Sequence, residues 1–115
     1  MFGNEEQEIF QPVIQEYRRQ GADISGPHSP DTIFHRASLG EFDAVICAYH
    51  DQGLIPFKLL AFTTGVNVTL GLPLIRTSPD HGTALDLAGR NQADPRSMIE
   101  AIKLACRLAK IGKNT

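Results

Sequence analysis

The run Ala44-Val45-Ile46-Cys47-Ala48 is apolar from end to end and opens directly into Tyr49-His50-Asp51-Gln52-Gly53. A short apolar stretch with a β-branched pair, bounded upstream by Gly40, suits a strand covered on both faces. Residues 43–49 are therefore predicted to form a buried strand, and an α/β fold follows. At the carboxyl edge of such a sheet the chain turns and leaves polar groups exposed, which is where ligands gather in open α/β folds. A second polar cluster, Arg76-Thr77-Ser78-Pro79-Asp80-His81-Gly82-Thr83-Ala84, follows the apolar run 70–75. Two strand-end clusters in one short chain are hard to explain by packing alone.

With 115 residues, 42% of them hydrophobic, the chain can build one modest core, so residues 1–115 are read as a single domain. A formal net charge of -2 and a pI near 6.0, with no basic stripe, argue against a nucleic-acid partner. Cys47 and Cys106 make neither a disulfide framework nor a metal-ligand spacing and are read as core thiols in a reducing cytoplasm. No segment approaches the roughly 20 apolar residues of a membrane span, and no basic region followed by an apolar one opens the chain. A soluble protein that is not exported is expected, with no membrane partner.

Asn4 before Glu5, Glu6 and Gln7 reads as a helix start with a capping box, and Ile9, Phe10, Val13, Ile14 and Tyr17 supply its apolar face. Gly21 should end it. Asp31 is placed to cap a short helical turn over residues 32–36. Residues 54–62 suit a short helix interrupted near Pro56, and residues 66–70 and 74–77 suit strands separated by Gly71-Leu72-Pro73. The last helix has the clearest signals: Asp94 as N-cap, Pro95 at the first helical position, and Met98, Ile99, Ile102, Ala105, Cys106 and Ala109 along one face.

The chemistry suggested by residue type alone stays open. His50 beside Asp51 suits a metal ligand with a supporting carboxylate, a general base, or a hydrogen-bonded surface pair. Lys58, Asn67 and Arg76 are two cations and an amide, each near the end of a predicted element, where they could converge on a phosphate or carboxylate or could be solvated singly. His81-Gly82-Thr83-Ala84 is a small-residue turn into residues 85–88, either an anion or adenosine contact or an ordinary helix start. Neither a GxGxxG nor a P-loop is present.

Tyr49-His50-Asp51-Gln52-Gly53-Leu54, Gly65-Val66-Asn67-Val68-Thr69-Leu70-Gly71-Leu72-Pro73 and Arg76-Thr77-Ser78-Pro79-Asp80-His81-Gly82-Thr83-Ala84 resemble carboxy-terminal motifs of the 4-hydroxythreonine-4-phosphate dehydrogenase family, of the vitamin B6 (pyridoxal phosphate) pathway. Gly26-Pro27 with Pro30-Asp31-Thr32 matches a further family segment, so the resemblance covers nearly the whole chain. It implies a three-layer α/β/α fold of the isocitrate/isopropylmalate dehydrogenase type, represented here by a carboxy-terminal portion. It also implies oxidation of 4-phosphooxy-L-threonine with NAD and a divalent metal (zinc, magnesium or cobalt), followed by loss of carbon dioxide from the β-keto acid. On the same ground His50 is a metal ligand, and Lys58, Asn67 and Arg76 contact the phosphorylated substrate. Asp31 and Asp51 are catalytic carboxylates that orient the metal shell or move a proton. The loop His81-Gly82-Thr83-Ala84 contacts the adenosine of the cofactor, which accounts for the missing Rossmann fingerprint.

The family's two other metal-binding histidines lie earlier, one in an Asn-Pro-His-Ala-Gly-Glu-Gly-Gly stretch expected immediately before Met1. The chain is accordingly expected to be part of a longer, homodimeric parent and inactive without the remainder. A dehydrogenase for threonate or erythronate 4-phosphate, or a catalytically silent binding or assembly module, are the competing expectations.

Overall fold

The computed structural model describes residues 3–112, in two compact units that divide between Ala48 and Tyr49. In the first unit a π-helical turn, Glu6–Phe10, leads into helix α1, Gln11–Arg19. Pro12 accounts for the wide turn: it has no N–H for the Glu8 carbonyl and its ring crowds that oxygen, so the preceding turn opens, closed by the Gln11 N–H on the Glu6 carbonyl. The expected capping box does not form. Asn4 instead offers its backbone carbonyl to the N–H groups of Gln7 and Glu8, at 3.0 and 2.9 Å, and its side-chain amide faces Glu8.

Helix α1 stops where the sequence predicts. Gly21, at φ +91°, donates to the Arg18 carbonyl and Ala22 donates to the Tyr17 carbonyl, both at 3.0 Å, the paired bonds of a Schellman ending. The covered side of α1 is narrower than the predicted stripe. Ile14 is buried, and Gln11 and Arg18 donate to the carbonyls of Gly26 and Ile24, while Ile9, Val13 and Tyr17 are exposed. Helix α2, Ile33–Ser38, buries Ile33. Asp31 does not cap it; its carboxylate accepts from the Ser29 hydroxyl at 2.5 Å, and the Ser29 carbonyl takes the N–H groups of Thr32 and Ile33.

Residues 43–49 form no strand, and Ile46 is 87% exposed. β-forming residue types make a strand only against a neighbouring strand, and among the described residues the two strands of the second unit pair with each other. The expected core thiols are also corrected, since Cys47 is half-buried and Cys106 exposed.

The second unit begins with helix α3, His50–Ala61, entered from an extended Tyr49. It starts four residues before the predicted position and runs through Pro56 unbroken. Strands β1, Val66–Thr69, and β2, Arg76–Pro79, pair antiparallel with Val66 opposite Pro79 and Thr69 opposite Arg76. The second strand lies about two residues later than predicted, and Leu74 and Ile75 stay exposed in the connection. Residues 70–75 are too few for a parallel crossover, which needs a dozen or more, so the pair is a hairpin.

Helix α4, Arg96–Ile111, packs on both strands. Its start is the one the sequence predicts: Asp94 Oδ1 accepts the Arg96 N–H at 3.0 Å, and Pro95 already has helical dihedrals. The packed face differs from the predicted one. Ser97 and Ala101, at 4% and 2% exposure, are buried, with Leu104 and Leu108 half-buried behind them, whereas Met98, Ile99, Ile102 and Cys106 remain exposed. The helix carries two low-polarity faces, and the smaller side chains win because they let the backbones approach. The Thr77 hydroxyl thereby reaches the Ala101 carbonyl at 2.9 Å, and the Ser97 hydroxyl donates to the Gly65 carbonyl at 2.6 Å while accepting the Asp80 N–H at 3.1 Å. Gly65 is required beside Phe57, whose Cζ would lie 2.2 Å from an added Cβ.

Two outcomes are expected. Ser97→Ala should destabilise the second unit by roughly 1–3 kcal/mol, because it strands a buried carbonyl and a part-buried N–H, and urea melts should show the lower midpoint. The side-chain hydrogen bond from Arg96, with the Arg96 backbone N–H behind it, lowers the Asp94 pKa from 3.8 to about 2. Because the folded-state value is the depressed one, the cap's contribution is present above pH 3.8 and is lost as pH falls through about 2. Carboxyl-detected NMR titration should give that midpoint for Asp94, and a higher one in Arg96→Ala, which removes the side-chain bond and keeps the backbone N–H on Oδ1.

Candidate functional site

The hairpin sorts its side chains by strand alternation. Residues directly opposite in an antiparallel pair share a face, so Asn67 with Ser78 and Thr69 with Arg76 lie on one side, and Val66, Val68, Thr77 and Pro79 on the other. The second set faces α4, as the Thr77 bond to Ala101 requires. Asn67 and Arg76, predicted from isolated positions, are therefore brought to one polar face as diagonal neighbours. Arg76 is held there by a bond from its Nη1 to the Thr69 hydroxyl, 2.7 Å, and the residue stays exposed. Such a face offers a planar cation and an amide to an anion.

Lys58 projects from α3 toward the residue that follows β2. Its ammonium lies 2.5 Å from Asp80 Oδ2 and also donates to the Asp80 carbonyl oxygen. The carboxylate contact is an ion pair without hydrogen-bond alignment, so the buried Oδ2 accepts no hydrogen bond. Phe62 closes another side of the ammonium, with its ring centroid 5.5 Å from Nζ. Asp80, Ser97 and Thr69 are supporting residues that residue-by-residue reading missed. Lys58 and Asp80 stand 22 positions apart and meet only in the folded chain.

His50 and Asp51 sit in the first turn of α3, not at a strand end as predicted. His50 Nδ1 and Asp51 Oδ1 are 2.8 Å apart, and both side chains are largely exposed. In the tautomer whose Nδ1–H donates to the Asp51 carboxylate, the Nε2 lone pair points away from Asp51 and suits a divalent metal. Among the described residues no group of three His, Cys, Asp or Glu side chains is placed to hold one, so this chain fits as the donor of a single imidazole. His50 and Lys58 lie eight residues apart on one helix, a rise of about 12 Å. The loop after Asp80 runs through His81, whose Nδ1 lies 2.9 Å from the Gly82 carbonyl oxygen, to Ala84 in the left-handed region at φ 44° and a single 3₁₀ turn, Leu85–Leu87. Asp31 belongs to the first unit, with its carboxylate on Ser29.

A family model described as pyridoxal phosphate biosynthetic protein PdxA matches residues 1–105. Among curated proteins, the 4-hydroxythreonine-4-phosphate dehydrogenase of Desulforapulum autotrophicum is 59% identical over 111 residues, which is 96% of this chain and 33% of the relative. That of Geobacter metallireducens is 58% identical with the same coverage. The chain thus spans about a third of the length of the curated relatives it matches. The crystal structure of 4-hydroxythreonine-4-phosphate dehydrogenase from Klebsiella pneumoniae superposes with a TM-score of 0.78 at 50% identity, covering 90% of this chain and 31% of that one. The mixed helix and strand arrangement superposes on solved relatives of the family, and no helix among the described residues is long and apolar enough to cross a membrane.

Proposed function

This chain belongs to the family of the pyridoxal phosphate biosynthetic protein PdxA, and from that membership we propose that it supplies the anion- and cofactor-contacting portion of a 4-hydroxythreonine-4-phosphate dehydrogenase. Within a polypeptide of the family's full length, in the three-layer α/β/α arrangement, the reaction is oxidation of 4-phosphooxy-L-threonine with NAD followed by decarboxylation. The enzyme is a cytoplasmic homodimer. The observation that carries the reading is the 59% identity to a protein of that name over 96% of this chain. The shared polar face of Asn67 and Arg76 supports it, because a phosphorylated substrate needs such a cradle.

The chemistry assigns a task to each side chain. Arg76 offers a bidentate fork, Lys58 a point charge and Asn67 an amide to the anionic ends of the substrate. Asp51 fixes the His50 tautomer, so that Nε2 is presented as one ligand of a divalent cation. That cation, when bound, supplies Lewis acidity for hydride loss and for the charge that develops on decarboxylation. Asp31 and Asp51 are the carboxylates assigned to proton movement or to orienting the ligand shell. His81, Gly82, Thr83 and Ala84 present loop backbone to the adenosine end of NAD. NAD held by that loop would supply the two-electron oxidation of the substrate carbinol carbon, with the hydroxyl proton released. The β-keto acid then loses carbon dioxide and takes up a proton to give an aminoketone phosphate.

The test is an exchange. The matching segment of the full-length Desulforapulum relative is replaced by this chain, and NADH formation from 4-phosphooxy-L-threonine is followed with added divalent metal. Turnover is expected, with Arg76→Ala raising KM about 10- to 100-fold as a charged hydrogen bond is lost, and His50→Ala raising the metal concentration needed. Turnover of threonate 4-phosphate alone would replace the substrate, and binding of NAD or substrate without any turnover would replace the enzyme reading with a binding module.

A further inference from the structure

We infer that Asp80 is a positioning residue for Lys58, fixing the direction in which that ammonium meets an anion; this rests on the reading of Lys58 as a contact for the phosphorylated substrate. A lysine head on a four-carbon stem samples many directions when solvated, and its three N–H groups are equivalent until something distinguishes them. Here one N–H is taken by the Asp80 carbonyl, the Asp80 carboxylate flanks the head as an ion pair whose Oδ2 accepts no hydrogen bond, and the Phe62 ring centroid stands 5.5 Å from Nζ. The pair is well shielded, with side-chain exposures of 34% for Lys58 and 19% for Asp80, unlike the solvated Arg19 with Glu16 pair at 73% and 49%.

Asp80 is itself unable to follow the lysine. Its N–H is bonded to the Ser97 hydroxyl, and that hydroxyl is anchored on the Gly65 carbonyl. The head of Lys58 is thereby registered to the hairpin that carries Asn67 and Arg76, although Lys58 comes from a different element. The unaligned carboxylate contact is the expected form of this arrangement. Asp80 holds the cation by charge and leaves N–H directions for an incoming anion.

Two measurements test this. In the 115-residue chain, NMR of Lys58 should resolve two distinct ε-methylene proton signals, which merge in Asp80→Asn without loss of the fold's amide dispersion. A Lys58 that already shows one averaged signal in the unsubstituted chain overturns the inference. In the exchanged full-length enzyme described above, Asp80→Asn should raise KM for 4-phosphooxy-L-threonine about 5- to 10-fold with kcat changed less than about twofold, and should add nothing further in a Lys58→Met background, since a residue acting through another is non-additive with it. An equal effect in both backgrounds marks a merely structural role, and a lowered KM marks a carboxylate that only repels the substrate; either overturns the positioning. An unsubstituted exchange enzyme that neither binds nor oxidises the substrate removes the functional reading instead, while the Lys58 signals still decide whether Asp80 holds the lysine.

Discussion

The Ser97 hydroxyl is the pin on which the second unit turns. It donates to the carbonyl of Gly65, where α3 gives way to β1, and accepts the N–H of Asp80, just past β2, from a position one residue into α4. Three segments distant in sequence are located by one buried oxygen whose donor and acceptor capacities are both used. Neighbouring contacts repeat the device, with Thr77 on the Ala101 carbonyl and Lys58 on the Asp80 carbonyl. Side-chain-to-backbone bonds of this kind specify register sharply, because a shift of one residue breaks several at once. They need small residues at the contact, which is why Ser97, Ala101 and Gly65 are buried where bulkier side chains are not.

That scaffold explains how polar groups of the candidate site are arranged. The hairpin separates a face for α4 from a polar face, and the antiparallel register puts Asn67 and Arg76 on the second. Thr69 and Asp80 each restrain a cation, one by a neutral hydroxyl and the other by charge. The distinction matters chemically: Arg76 has no carboxylate partner in this contact, while Lys58 lies beside a carboxylate that tempers its field.

The legible parts of the sequence were those decided by neighbouring residues. Gly21 ends α1 through a left-handed backbone that glycine adopts cheaply, and Asp94 with Pro95 starts α4 through local bonding alone. Gly71-Leu72-Pro73 falls between the strands as predicted. The motifs also led to the family, because they record chemistry more than conformation. The errors arose where the answer depended on distant chain. Residues 43–49 have strand composition without a described neighbour to pair with, and the apolar stripe on α4 was chosen by hydrophobicity although close approach to the hairpin selects the smaller face. The Lys58 and Asp80 pair has no local signature at all. Pro56 suggests an interruption from its missing N–H, yet α3 passes through it.

The scarcity of buried apolar side chains, with Ile14, Ile33 and Ala101 the buried ones among the described residues, has a calorimetric meaning. Heat capacity rises on unfolding chiefly because apolar surface is newly hydrated, and ordinary globular chains gain roughly 12–15 cal/mol/K per residue. Here much of that surface, including Ile46, Leu59 and Leu70, already meets water in the folded chain. The increment per residue therefore falls below the usual range, and the dependence of stability on temperature flattens. Urea, whose leverage scales with the same surface change, acts on this chain with a correspondingly shallow slope.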